Sequence, residues 1–139
     1  MQDTHDLDSL IVDQMAEAVI HSNASGTIER WNRAACEMFG FSKEDALGQS
    51  LDLIIPEHLR AAHWRGFDAA IAAGKTRLNG RPTLTKGLHK SGQKLYVEMS
   101  FALVLDDKGK CVGSVAVARD ATERVMQERA AFQQAKADA

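Results

Sequence analysis

The chain has 139 residues, which is enough for one domain with a sizeable core and too few for two. Its formal net charge of −2 gives no general attraction to nucleic acid or anionic lipid, so we expect no nucleic-acid partner. No apolar run approaches the ~18 residues needed to cross a bilayer, and no basic and apolar leader is visible. We therefore expect a cytoplasmic protein with no membrane partner.

The first part of the chain predicts an amphipathic helix followed by a β-hairpin. Apolar residues recur at helical spacing at Leu7, Leu10, Ile11 and Met15. Two short strands, 17–21 and 27–31, flank the turn sequence Asn-Ala-Ser-Gly. On these patterns we assign 1–15 to an N-terminal helix, 16–120 to the core domain and 121–139 to a C-terminal helix.

Two short helices are expected next, because two segments have helix-start chemistry. Asn32 is placed to cap a helix that ends at Gly40. Ser42 and Asp45 have the spacing of a capping box, and Gly48 stops the turn that they open.

A long central helix between Pro56 and Gly74 carries the most informative residue, His63. Proline suits the first helical position and glycine suits the end. The expected buried stripe consists of Leu59, Ala62, His63, Gly66, Phe67, Ala70 and Ile71. His63 is its polar member, and the three small residues predict that another group approaches closely.

His63 has two interpretations, which stay open at this point. It is either a neutral core histidine bonded to a backbone carbonyl, with Gly66 admitting a neighbouring strand, or the contact of a flat ligand. Trp64 is expected on the outward side of the same helix, where it suggests an association surface.

The last third of the chain changes to the pattern of a sheet. Three strand candidates span 77–88, 95–104 and 109–118. Pro82 cannot donate to a strand ladder, so the first of them is an edge strand or is interrupted early. Within the second, Val97, Met99 and Phe101 alternate with more polar residues and are expected to line the core.

The C-terminal segment predicts a helix, either a short coiled coil or a helix lying on its own domain. Residues seven apart form a weak heptad stripe at Ala118, Val125, Phe132 and Ala139. Asp120 or Thr122 is placed to cap this helix. We expect no enzymatic activity, because the acids lack a paired base and there is no H-E-x-x-H, nucleophile elbow or phosphate loop.

The order of elements resembles that of the PAS domain family. The similar segments are residues 26–35 (GTIERWNRAA), 39–48 (FGFSKEDALG), 89–92 (HKSG) and 119–124 (RDATER). The resemblance covers residues 13–124. It implies an α+β fold with a five-stranded antiparallel sheet, with short helices and one long helix on one face and helices at both termini. In this family the Asp-x-Thr segment joins the core to a signalling helix.

The central helix is similar to that of bacterial gas-sensing haem PAS domains, through Leu59-Arg-Ala-Ala-His63, Gly74-Lys-Thr-Arg77 and Gly80. The resemblance implies haem b with His63 as its iron ligand. The implied cofactor site consists of His63, Gly66, Phe67, Ile71, Arg81, Met99 and Phe101. The chain departs from the family in three places. Arg81 stands where one sensor type has a methionine ligand, Thr83 stands where another has an oxygen-stabilising arginine, and Leu51 replaces the cysteine of flavin photosensors.

We therefore expect a sensory signal-transduction domain that binds a small ligand, with haem as one identity, for gas or redox sensing. Its C-terminal helix passes the signal to a partner or effector protein. The alternative is a ligand-free PAS interaction module. For either function we expect a homodimer formed through the terminal helices.

Overall fold

A computed structural model of the chain describes residues 6–77 and 80–139, so the first residues of the predicted N-terminal helix lie outside the described residues. The α-helices are α1 (Leu7–Gln14), α2 (Arg33–Phe39), α3 (Lys43–Ala46), α4 (Arg60–Ala73) and α5 (Thr122–Ala137). The strands are β1 (Ala18–Asn23), β2 (Ile28–Trp31), β3 (Thr83–Leu88), β4 (Lys94–Leu105) and β5 (Cys111–Asp120). Two 3-10 turns, Leu51–Ile54 and Glu57–Leu59, lead into α4.

The five strands form one antiparallel sheet in the order β2-β1-β5-β4-β3. The predicted α+β fold with a five-stranded sheet is confirmed. β3 is an edge strand and begins directly after Pro82, as the missing N–H of proline requires. The predicted start of this strand at residue 77 is wrong, because Pro82 delays its pairing with β4.

The short helices begin where the sequence predicts. The side chain of Asn32 accepts a hydrogen bond from the Ala35 N–H, and that of Ser42 accepts one from the Asp45 N–H. Gly40 ends α2 in the left-handed conformation that glycine adopts without strain. Local capping chemistry therefore determines where α2 and α3 begin and where α2 ends.

The core lies between these helices and the sheet. Its largest fully buried side chains include Phe39, Ile20, Ile28 and Val97. Trp31 is also buried, and its indole N–H donates to the Phe41 carbonyl at 3.1 Å. Burial of these apolar side chains supplies the main stabilisation of the fold.

The central helix packs on a narrower face than the sequence predicts. Phe67 is its buried residue, whereas Ala62 and Gly66 are exposed, and no atom lies within 4 Å of a Cβ built on Gly66. No neighbouring strand therefore packs on Gly66 among the described residues, while Ala62 lines a cavity. Trp64 packs inward instead, because its ring carbon Cη2 lies 2.2 Å from a Cβ built on Gly26 and occupies the space that this glycine leaves. The indole is half-buried against the core, so the predicted outward placement of Trp64 is wrong.

The start of α5 is bonded to β4 near the beginning of that strand. The Ala121 N–H donates to the Tyr96 carbonyl at 2.8 Å, and the Tyr96 N–H donates to the Thr122 hydroxyl oxygen at 2.9 Å. Asp120 Oδ1 accepts from the Thr122 N–H at 2.9 Å. Val125 is buried beside Tyr96. Residues 126–139 are exposed along their whole length.

Within residues 6–77 and 80–139, no helix combines the length and hydropathy that a membrane span needs.

Candidate ligand site beside His63

A cavity of about 330 Å³ lies between α4, the loop before it and the sheet. Apolar side chains form most of its wall. The lining residues used below are His63, Gly87, Val97, Met99, Phe101 and Ser114. Its volume is at the lower end of the roughly 300–1,000 Å³ of typical ligand pockets.

His63 lines this cavity and has a polar atom with no visible partner. Its Nδ1 is buried and has no hydrogen-bond partner among the described residues. The bond to a backbone carbonyl, which one of the two interpretations of His63 includes, is thus absent at this nitrogen. The imidazole stacks on Phe67, with ring centroids 5.8 Å apart, and meets the edge of Trp64 at 4.6 Å. Buried polar groups are normally hydrogen-bonded, so this nitrogen is the feature of the cavity that most needs an explanation.

Burial lowers the pKa of His63, while the carboxylates of Asp52 and Asp68 oppose this shift. The imidazole is therefore neutral at pH 7. A neutral imidazole has one N–H donor and one nitrogen lone pair, so it can either bond a ligand or coordinate a metal ion.

The N-terminal part of α4 is fixed in place by hydrogen bonds to the preceding loop. The Trp64 indole N–H donates to Asp52 Oδ1 at 2.7 Å. The Arg60 Nε donates to the Ile55 carbonyl at 3.0 Å. Because Trp64 adjoins His63 in the helix, these bonds hold the imidazole against the cavity.

The sheet forms the opposite wall. Phe101 of β4 contacts Phe67 of α4 across the core, with ring centroids 6.2 Å apart. Gly87 of β3 is needed for close packing, because a Cβ built there lies 2.9 Å from Val97 Cγ2 and 3.2 Å from Phe39 Cε1. A side chain at position 87 would fill part of the space between β3 and the loop.

The structure brings together only some of the predicted site residues. His63, Met99 and Phe101 line the cavity. Phe67 and Ile71 belong to the adjoining core rather than to the lining. Gly66 lines a separate groove along α4, and Arg81 is exposed outside the cavity.

Most of the other lining residues were missed by the sequence analysis, and two of them, Gly87 and Ser114, are informative. Gly87 could have been noticed, since a glycine inside a strand marks a close approach. Ser114 interrupts an apolar strand, and its hydroxyl oxygen lies 2.9 Å from that of Ser22 on β1. Both serines are buried, at 2% and 0% exposure, so this is a polar pair at the sheet wall of an apolar cavity.

The five-stranded antiparallel sheet with helices packed on it defines a class of α+β domain, and comparison with known proteins identifies that class. Residues 12–126 match the model of a family described as the PAS fold. The chain belongs to the PAS family.

Two relatives and one solved structure show what the chain is similar to. The chain is 28% identical to the oxygen sensor protein DosP of Escherichia coli over 106 residues, 76% of this chain and 13% of DosP. It is 24% identical to a probable serine/threonine-protein kinase of Dictyostelium discoideum over 102 residues, 73% of this chain and 7% of the kinase. The chain thus spans a small part of both relatives. A PAS domain structure from Colwellia psychrerythraea superimposes with a TM-score of 0.73 at 22% identity, covering 84% of this chain and 95% of that one.

Proposed function

We propose that this protein is a sensory PAS domain that binds a small ligand in the cavity beside His63 and passes the binding event to α5. One observation carries the proposal, namely that His63, a residue of the lining of an apolar cavity, has a buried Nδ1 with no hydrogen-bond partner among the described residues. A ligand that bonds this nitrogen would remove the cost of burying it unpaired, about 1–3 kcal/mol.

The route from the cavity to α5 follows β4. Val97 and Met99 line the cavity, and Tyr96, next to Val97 in the strand, uses both of its backbone groups to bond the start of α5. Adjacent residues of β4 thus connect a cavity contact, through the Val97 side chain, with the helix junction, through the Tyr96 backbone. A ligand that shifts β4 changes the exit angle of α5, which would be read by a partner or effector protein.

Haem is the ligand identity that the resemblance implies, and DosP supports testing it first. The neutral imidazole of His63 would serve as a ligand to the iron. The cavity volume, about 330 Å³, suits a smaller molecule, because a macrocycle would need the cavity walls to move apart. When bound, haem would supply gas or redox chemistry through its iron. This chain would contribute the imidazole of His63 and the apolar cover formed by Met99 and Phe101.

An absorption spectrum separates haem from other ligands. The protein would be purified after expression with iron and a haem precursor, and its visible spectrum recorded oxidised, reduced, and reduced under carbon monoxide. A Soret band that shifts between these states, disappears in His63→Leu and persists in the control His58→Leu supports haem binding. His58 is the matched control because it is an exposed histidine outside the cavity lining.

Absence of a Soret band, even after hemin is added, contradicts haem binding. Native mass spectrometry of the same sample then distinguishes the remaining cases. A bound small molecule that is lost from His63→Leu supports the ligand-sensing proposal, whereas a bare protein contradicts it.

A second function, a ligand-free interaction module, is favoured by the terminal helices. Leu7 and Ile11 on α1 are exposed at 69% and 53%, and Met126 and Phe132 on α5 at 54% and 70%. Leu7 and Ile11 are four apart and share one face of α1. Contiguous exposed apolar surface marks association sites. We propose that they form a homodimer, which is compatible with ligand binding. Sedimentation of the wild type and of Leu7→Gln/Ile11→Gln/Phe132→Gln tests this. A wild-type dimer that dissociates in the triple variant supports the interface, and a wild-type monomer contradicts it.

A further inference from the structure

We infer that the ligand of this cavity is an apolar small molecule with a hydrogen-bond donor, and that the hydroxyl oxygen of Ser114 accepts this hydrogen bond. The inference rests on the proposed ligand-binding function and adds the chemistry of the ligand at the sheet wall. It comes from counting the protons of two buried hydroxyl groups.

The Ser22 and Ser114 hydroxyl groups have one proton each. The Ser22 hydroxyl donates to the Asn23 carbonyl at 3.0 Å, and its oxygen lies 2.9 Å from the Ser114 hydroxyl oxygen. Both hydrogen bonds form together only if Ser114 donates to Ser22. The Ser114 proton is then fully used, and what remains at its oxygen is the capacity to accept.

Ser114 presents this acceptor to the cavity, since it is a lining residue and Ser22 lies behind it. At 2% exposure it has little access to bulk water. An N–H or O–H of a ligand would gain a hydrogen bond here. An ether or carbonyl oxygen at the same place would face another lone pair.

The backbone around the pair is held rigidly. The ring nitrogen Nδ1 of His21 is bonded to the Ser114 carbonyl at 2.8 Å. A Cβ built on Gly113 would lie 2.0 Å from the Ser22 carbonyl oxygen, so glycine at 113 is what allows β1 and β5 to approach this closely. The positions of the two hydroxyl oxygens are therefore set by the strands and not by a mobile loop.

Two probe molecules of nearly equal shape test the inference. Indole has a ring N–H where benzofuran has a ring oxygen, and both are small enough for a cavity of about 330 Å³. Their dissociation constants would be measured by NMR titration of the full chain. Since a net hydrogen bond contributes about 0.5–1.5 kcal/mol, we expect indole to bind roughly 2- to 10-fold more tightly.

Two serine variants assign this preference to the hydroxyl pair. Ser114→Ala should bring the indole to benzofuran ratio to about 1 by weakening indole. Ser22→Ala removes the acceptor of the Ser114 proton, so Ser114 becomes able to donate. The indole to benzofuran ratio of Ser22→Ala should also fall, in this case because benzofuran binds more tightly. Ser100→Ala is the matched control on the same sheet outside the cavity lining and should keep the wild-type ratio.

Each outcome decides a separate point. Equal binding of both probes to the wild type, or a preference that survives in Ser114→Ala, overturns the inference and leaves ligand binding intact. If neither probe binds, the inference fails together with the proposed cavity function. If circular dichroism shows that Ser114→Ala does not fold, the tighter binding of benzofuran expected in Ser22→Ala still tests the inference.

Discussion

Asn32 at the start of α2 and His63 on α4 are polar residues that differ in how their polar atoms are satisfied. Asn32 is 2% exposed and its side chain makes four hydrogen bonds: Oδ1 accepts from the N–H groups of Val19 and Ala35, and Nδ2 donates to the carbonyls of Val12 and Glu17. His63 has a buried Nδ1 with no partner among the described residues.

The difference separates a structural polar group from a functional one. Asn32 ties the end of α1, the start of β1 and the first turn of α2 together, and it has no bonding capacity left for a ligand. His63 contributes stacking to the core while one polar atom remains available. A saturated network specifies a fold, whereas an unsaturated buried group identifies where something else binds.

The largest expected effect is the loss of the Asn32 network. Asn32→Ala leaves two N–H groups and two carbonyls without their side-chain partners, so we expect the free energy of unfolding to fall by about 3 kcal/mol or more. Urea denaturation monitored by Trp fluorescence measures it. The control is Asn23→Ala, whose side chain accepts from two N–H groups in a turn near solvent and should cost about 1 kcal/mol. Equal losses in the two variants would contradict the structural role of Asn32.

The next effect concerns the junction that joins the sheet to α5. Thr122→Val keeps the side-chain shape and removes the acceptor of the Tyr96 N–H, so we expect a loss of about 1–2 kcal/mol and faster amide exchange at Tyr96 and in the first turn of α5. Thr83→Val, at an exposed position of the edge strand, should change stability by less than about 0.5 kcal/mol. Unchanged exchange at Tyr96 would show that the hydroxyl does not couple β4 to α5.

Much of the secondary structure around Asn32 and His63 could be predicted from the sequence, because short-range chemistry determines it. The Asn32 and Ser42 caps, the end of α4 at Gly74 and the edge position of β3 after Pro82 all follow from local rules. The structural role of Asn32 could therefore be predicted in part, because its capping bond to the Ala35 N–H is one of its four side-chain hydrogen bonds.

The site was harder to predict, because it depends on packing between distant segments. Helical periodicity indicates which residues share a face of α4 but not how far the helix is rotated, and the packing of Trp64 against Gly26 sets that rotation. Ser114 becomes a cavity residue through its register opposite Ser22 on β1. Register between strands more than 90 positions apart leaves no short-range signal in the sequence.

A smaller effect is expected on pH dependence. Burial holds the pKa of His63 below its ordinary value of 6.5, so the unfolded chain binds a proton at this residue more readily than the folded chain. At a pH above the pKa that His63 has in the unfolded chain, the residue is neutral in both states and does not reduce stability. As the pH falls below that pKa, the unfolded chain binds the proton first, so the free energy of unfolding decreases. We expect the wild type to lose more stability than His63→Leu between pH 7.5 and pH 5.5 in urea titrations. Equal losses in the two proteins would mean that the titration of another group dominates the loss of stability at low pH.

The smallest expected effect is that of His63→Leu on stability at pH 7.5, and it is the sharpest test of the comparison. Leucine has a similar volume and keeps apolar contact with Phe67, and no hydrogen bond of Nδ1 is lost because none is present among the described residues. Replacing a buried unpaired polar atom by an apolar group is near neutral or stabilising, so we expect a change within about 0.5 kcal/mol.

The same variant removes the only atoms of this residue that can bond a ligand, so its effect on binding should be large where its effect on stability is small. Urea denaturation and native mass spectrometry of one preparation measure both. A stability loss above about 2 kcal/mol would place a structural partner, such as a buried water, on Nδ1 and would make His63 resemble Asn32. Unchanged stability with lost ligand assigns the unpaired nitrogen to function, because natural selection of folding alone gives no reason to keep it.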